Sequence, residues 1–443
     1  MTVFPRWTLA ALATLSFSLP ASAQTDHHHR HGSEEIRASR WVQIHAKDKT
    51  ERTAIANEGV SIEAVRSDSV WGFATPDQLQ ALKGKGFRIL GSFDFTTGRG
   101  GHQGGFDFPA KDAKFHNYAE ATSALRMLAS SHADIARTIS IGKTIERRDI
   151  WAIHINTNPD ALMSNSSSKP GILYVGNHHA REHLSVEVPL MFAQHLLKNR
   201  DDPKIWALLD SRDIWIIPML NPDGSEFDIA TGSYKYWRKN RRNNRDGTFG
   251  VDLNRNYSFG WGTGGSSKDT SSDVYMGPTP FSEPETQAIK TFVESQTNLK
   301  ILLSFHTFSE LILYPWGGKY DPIADPKDRA IHEKMAKTMA GWNKYKPQQS
   351  SDLYIASGDT TDWAYGDRGL ISFTFELSPA NTGGAGGFYP GAGMIDKAFQ
   401  DNLRPCLYLL DLTDDPARAT TNRPSIFLQN YVAPSLAPEH FWN

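Results

Sequence analysis

The chain has 443 residues, 39% of them hydrophobic, enough for one large catalytic-size domain plus something smaller, which excludes a disordered or fibrous chain. Lys and Arg total 47 against 49 for Asp and Glu, a formal charge of -2, so no global field draws the chain to nucleic acid or anionic membrane. Cys406 is the only cysteine, which excludes an intrachain disulfide framework, a multi-cysteine metal site and a CxxC redox motif.

The first 23 residues read as a signal peptide. Arg6 supplies a positive flank, residues 9–19 form an Ala/Leu-rich apolar run, and Ala21-Ser22-Ala23 is a small-residue cleavage site. The run is about half the ~20 apolar residues a membrane span needs, and no later stretch approaches that length. The mature chain is therefore expected to be secreted, extracellular or periplasmic, with no membrane attachment after signal removal. His27-His28-His29-Arg30-His31 reads as a solvated tail, because a loose tract has no scaffold to fix a metal.

Next, alternation predicts a strand over 41–46, a helix over 50–57, a second strand within 61–73, a short helix over 76–83 with Thr75 as N-cap, and a third strand over 87–93. This small α+β unit, residues 24–105, ends in a Gly-rich run over 96–105 that contains Arg99, a flexible linker open to proteolysis. Over 106–413 strands and helices alternate, and runs such as 213–220 and 301–305 are apolar on both faces. That pattern predicts an α/β domain with a mixed, mostly parallel central sheet and helices on both faces. Ser282 with Glu285 three residues on predicts a capping box before the helical run at 288–293. Residues 414–443 form a C-terminal extension without clear periodicity.

Three stretches place ionisable side chains directly after apolar strands: His178-His179-Ala180-Arg181-Glu182 after 171–177, His306 after 301–305, and Glu376 after 372–375. In open α/β sheets ligands bind beyond the carboxyl ends of the strands, so the three can converge. Catalytic zinc commonly takes two His and one Glu and keeps a fourth position for water. His179, Glu182 and His306 satisfy that count.

Six motifs, in order, carry a resemblance: His179-Ala-Arg-Glu182, Tyr236-Trp-Arg-Lys239, Asp252-Leu-Asn-Arg-Asn256, Ser304-Phe-His-Thr-Phe308, Leu353-Tyr-Ile-Ala-Ser-Gly-Asp359 and Phe373-Thr-Phe-Glu376. From about Asp107 to Leu412 the chain resembles the zinc metallocarboxypeptidases of the carboxypeptidase A/B family, and within it the secreted bacterial carboxypeptidase T type. The small unit before the linker resembles the family's inhibitory propeptide in size and strand pattern. The resemblance implies one zinc ion held by His179, Glu182 and His306, with Asp252 accepting the ring N–H of a zinc histidine. It implies Glu376 as general base and Arg238 as the charge that stabilises the oxyanion. It also implies Asn254 and Arg255 as the clamp for the substrate's terminal carboxylate, Tyr354 as the hydroxyl that caps this end group, and Arg181 as an auxiliary substrate-binding arginine. His178 and His183 fall outside the metal spacing and read as packing or hydrogen-bonding residues. Relatives have a cis peptide at the step that is Thr307-Phe308 here.

Asp359 with Thr361 resembles the arrangement that accepts both apolar and basic C-terminal residues, so a broad pocket is expected. The implied partners are peptide or protein C-termini and a protease that activates the latent chain, which is taken as a monomer. Calcium stays open, since residues 156–168 offer Asp160 as their single acidic side chain. Two other readings compete. A zinc amidohydrolase acting on small N-acyl amino acids shares the metal triad, and a non-catalytic binder of peptide ends would need loss of the base or a ligand.

Overall fold

In the computed structural model the described residues are 39–93, 107–380, 385–421 and 425. The expected signal peptide, the His27–His31 tract, the expected linker over 96–105 and most of the expected C-terminal extension lie outside them. The first described unit is an antiparallel sheet of β1 (Arg40–His45), β2 (Ser61–Val65), β3 (Ser69–Ala74) and β4 (Ile89–Phe93), in the order β2-β3-β1-β4. The single strand expected within 61–73 is instead a hairpin, because the polar triplet Arg66-Ser67-Asp68 breaks the run and Arg66 N–H donates to the Ser69 carbonyl at 2.8 Å. Helix Lys49–Asn57 starts on Asp48, and helix Pro76–Gly84 on the predicted Thr75, which forms a capping box with Gln78.

Strand alternation sorts this sheet's side chains onto two faces. Val42, Ile44 and Val70 pack with Ile55 and Leu82 of the two helices. Trp41 and Phe73 point the other way and join Phe308 and Phe388 of the larger unit. One irregularity interrupts the pattern. Ile62 pairs with Gly72 and Ala64 with Trp71, so Glu63 is the extra residue of a β-bulge on an edge strand. The strands approach so closely here that a Cβ on Gly72 would lie 2.1 Å from the Ser61 carbonyl oxygen.

The larger unit is built on eight strands: β5 (Ala136–Lys143), β6 (Asp149–Ile155), β7 (Gly171–Gly176), β8 (Asp213–Ile217), β9 (Leu299–Ser309), β10 (Leu311–Tyr314), β11 (Lys346–Gln349) and β12 (Ile371–Ala380), in the order β11-β10-β12-β9-β7-β8-β6-β5. Strands β12, β9, β7 and β8 are parallel neighbours, and the flanking pairs β10–β12, β8–β6 and β6–β5 are antiparallel. One face buries Tyr174, Ile216, Leu303, Phe305 and Phe375 against Val188, Phe192 and Leu407 of helices Leu184–Lys198 and Met394–Asp411. The opposite face buries Val175, Trp215 and Leu302 against Ile289 and Phe292 of helix Pro284–Ser295 and against Trp363. The mixed α/β sandwich expected from two-sided apolar strands is what forms.

The expected Ser282/Glu285 capping box is absent. Pro284 takes the first helical position behind Glu283, whose side chain makes no cap, and Ser282 Oγ donates to Glu283 instead. Glu285 turns inward, where it accepts from Ile145 N–H and the Asn240 amide. Burial pushes its carboxyl up to about 8. The Thr307–Phe308 peptide is cis, as are Pro315–Trp316 and Ser378–Pro379.

Candidate active site

Along the second face of the sheet, apolar rows give way to polar ones at the carboxyl ends of the strands. Register pairs Ser304 with Thr374 and His306 with Glu376 across β9 and β12, so a candidate ligand and a candidate base stand side by side. After β7 the chain bends through Asn177, at φ 59°, whose amide donates to the His179 carbonyl at 3.1 Å. This bend turns His179 and Glu182 toward β9. Their contacts converge: His179 Nδ1 lies 2.7 Å from Glu182 Oε1, and His306 Nδ1 lies 3.0 Å from Glu182 Oε2 and 3.1 Å from His179 Nδ1.

Two imidazole nitrogens facing each other at that distance beside a carboxylate are a poor hydrogen-bonding arrangement and a good cation-binding one. The far side of His179 supports the second use. Its Nε2 meets Asp252 Oδ1 at 3.1 Å, which holds the proton on Nε2 and turns the Nδ1 lone pair to the centre. Ligand atoms of His179, Glu182 and His306 all lie within 4.8 Å of one another, and no second such group of His, Cys, Asp or Glu occurs among the described residues. This donor set fits a catalytic zinc.

Asp252 has a second task. Its Oδ2 accepts from Arg238 Nε at 2.9 Å, so one carboxylate orients both a candidate ligand and a guanidinium. Burial raises the Asp252 carboxyl, but Arg238 and His179 outweigh it and hold the group well below the carboxylate range. Asp252 also caps the short turn Leu253–Arg255 by accepting from Asn254 N–H. That turn presents Asn254 and Arg255 together. Asn254 Oδ1 accepts from the Thr360 backbone and hydroxyl, while Arg255 is held by main-chain oxygens, Nε on Gly265 and Nη1 on Asn254. Glu376 carries a carboxyl raised well above its ordinary value by burial and by the nearby Glu182 and Glu63 charges.

His179, Glu182, Arg238, Asn254, Arg255, Tyr354, Asp359, Thr361 and Glu376 line one cleft of about 220 Å³, while His306 is buried against His179 and Glu182 and does not line it. Arg181 does not line it. It is fully buried, its guanidinium over the rings of Phe73 and Phe388, paired with Asp273 at 3.0 Å and with Glu63 at 2.5 Å. His178 bonds to Tyr257, Ser304 and Thr360 and stacks on the His306 ring at 5.4 Å, while His183 bonds to Asp228; neither is among the three converging ligand residues. Asp359 caps helix Thr360–Gly366 and Thr361 bonds Thr374 at 2.6 Å.

Sequence reasoning missed the cleft residues that come from the small unit, Ile62, Glu63 and Val65, and those from β11, Lys346 and Gln348. It also missed Asp273. Alternation alone does not disclose Glu63, since the bulge that re-aims it is invisible in composition.

The zinc carboxypeptidase family model matches residues 121–405. A zinc carboxypeptidase of Saccharothrix mutabilis subsp. capreolus is 35% identical over 381 residues, spanning 81% of this chain and 86% of that one. Carboxypeptidase A1 of Rattus norvegicus is 33% identical over 310 residues, 68% and 70% of the two chains. Among solved structures, carboxypeptidase A from Helicoverpa armigera shares the fold, with a TM-score of 0.68 over 88% of this chain and 100% of that one at 23% identity. The chain thus belongs to the zinc carboxypeptidase family, hydrolases that act on C-terminal peptide bonds.

Proposed function

We propose that this chain is a secreted metallocarboxypeptidase that removes the last residue of peptides and proteins, with broad preference for apolar and basic ends. The observation that carries the reading is the juxtaposition in one cleft of the His179–Glu182–His306 cluster, the Glu376 carboxylate and the Arg255 guanidinium. The family's zinc, when bound, supplies Lewis acidity to a carbonyl and lowers the pKa of water toward about 7. Arg255, with the Asn254 amide, holds the substrate's terminal carboxylate, which restricts cutting to chain ends. Glu376 takes a proton from the attacking water as its oxygen adds to the scissile carbonyl, then delivers that proton to the nitrogen as the C–N bond breaks. Arg238, fixed by Asp252, offers positive charge where the carbonyl oxygen becomes negative. Tyr354 closes over the end group.

Residues 24–105 act on this reading as a propeptide, released by a cut within 96–105 by an activating protease. Three contacts support it: Glu63 pairs with Arg181 and lies 3.7 Å from Arg238, Tyr354 donates its hydroxyl to the Ile62 carbonyl at 2.9 Å, and Arg52 donates to the Leu353 and Asp352 carbonyls. Release of the C-terminal residue from a blocked peptide, with and without chelator, tests the reading in wild type and Glu376→Gln. Undiminished release by the variant removes Glu376 from its role, and equal activity before and after controlled proteolysis of 96–105 removes latency.

A further inference from the structure

The register of the sheet orders the cleft into rows. Lys346, Leu311, Glu376 and His306 lie opposite one another across β11, β10, β12 and β9, and Gln348, Leu313, Thr374 and Ser304 form the next row. Two residues along a strand is about 6.7 Å, so the second row lies one long side chain away from the row that holds Glu376. Gln348, Leu313 and Thr374 of this second row line the cleft together with Lys346, Leu311 and Glu376 of the first.

Gln348 stands out in that row. It is 7% exposed, lines the cleft, and its amide oxygen has no hydrogen-bond partner among the described residues. Buried polar atoms are ordinarily paired. A buried acceptor on a residue that lines a cleft gains its partner when an entering donor reaches it. The same cleft holds the Asp359 carboxylate, which pairs with no cation among the described residues while its Oδ1 accepts from Asp362 N–H. Space beside it is kept open by Gly317, where a Cβ would come 2.7 Å from Asp359 Oδ2 and 3.1 Å from Ser350 Oγ. The Thr361 and Thr374 hydroxyls bond each other. Lys346, the cation of the neighbouring row, is exposed to solvent.

We propose that Gln348 is a specificity-determining residue of this cleft, its amide oxygen accepting from the guanidinium of a C-terminal arginine whose charge is met by Asp359. The inference rests on the carboxypeptidase reading above and deepens it. Guanidinium suits two separated acceptors because its five N–H donors form a rigid fork. A C-terminal leucine has no donor for Gln348.

The test uses the zinc-loaded chain after proteolysis at the linker and two blocked peptides that differ in ending in Arg or Leu. Gln348→Met keeps length and removes the polar atoms. We expect its kcat/KM for the Arg peptide to fall roughly tenfold, the scale of a lost hydrogen bond to a charged group, with release of Leu unchanged or improved. Gln348→Glu should raise the Arg-to-Leu ratio, and Leu release reports whether each variant has folded. A ratio within twofold of wild type in both variants overturns the proposal while leaving the carboxypeptidase reading intact. A wild type that releases neither residue overturns that reading and the proposal with it.

Discussion

The two ends of the cleft differ in how their charges are met. At the metal-ligand end the ligands and the arginines are paired: Glu182 lies between two imidazoles, Asp252 joins His179 to Arg238, and Glu63 from the small unit reaches Arg181 and Arg238. At the side-chain end, the Gln348 amide oxygen lacks a partner and Asp359 lacks a cation among the described residues. The first end is organised before substrate arrives, as electrostatic catalysis requires. The second is completed by what enters it, as selection among side chains requires.

Four outcomes would break or sharpen that contrast. The largest effect is expected at the organised end, where Glu376→Gln should lower kcat by about a thousandfold with little change in zinc content, measured by metal analysis beside single-turnover kinetics. Next, Asp252→Ala should weaken zinc retention by about 10–100-fold, the usual consequence of removing a carboxylate behind a metal histidine; dialysis against graded chelator reads it directly, and unchanged retention would detach Asp252 from the metal site. Third, Glu63→Ala in the uncut chain should raise basal peptide release by roughly tenfold. Breaking a buried ion pair destabilises the contact, while Arg181 keeps Asp273 and so stays charge-compensated. The smallest effect belongs to pH at the unfilled end. Burial lifts the Asp359 carboxyl to about 6, with the bond it accepts from Asp362 N–H and the Arg255 charge opposing the rise. A raised carboxyl pKa leaves the group neutral below that value. The preference for Arg over Leu should therefore be present above pH 6 and decline severalfold as pH falls through it, whereas Asp359→Asn should flatten the profile.

The residues that were legible in the sequence are those whose position follows from a strong local pattern. Apolar runs such as 213–220 and 301–305 declared a sheet covered on both faces, and His179 follows β7 as expected, whereas His306 and Glu376, expected just past their strands, lie within β9 and β12. Thr75 announced its helix because an N-cap acts within one turn. Ser282 misled because Pro284 pre-empted the first helical position, a competition the S-x-x-E spacing does not register. Glu63 could not be read at all, since a bulge is a property of two paired strands and neither contains it alone. Gln348 escaped because β11 reads Lys-Pro-Gln-Gln, which has little strand propensity. It forms as an edge strand against β10, where a proline is tolerated.

On the proposed propeptide reading, the aromatic face of the four-stranded sheet has a consequence for maturation. Trp41 and Phe73 are buried against Phe308 and Phe388, and this adhesion is independent of the chain that tethers the two units. Severing the tether leaves the adhesion in place, so cutting and dissociation are separate events with separate clocks. If residues 24–105 act as the propeptide proposed above, dilution should hasten the appearance of activity, crowding should delay it, and an excess of the freed fragment added in trans should restore inhibition.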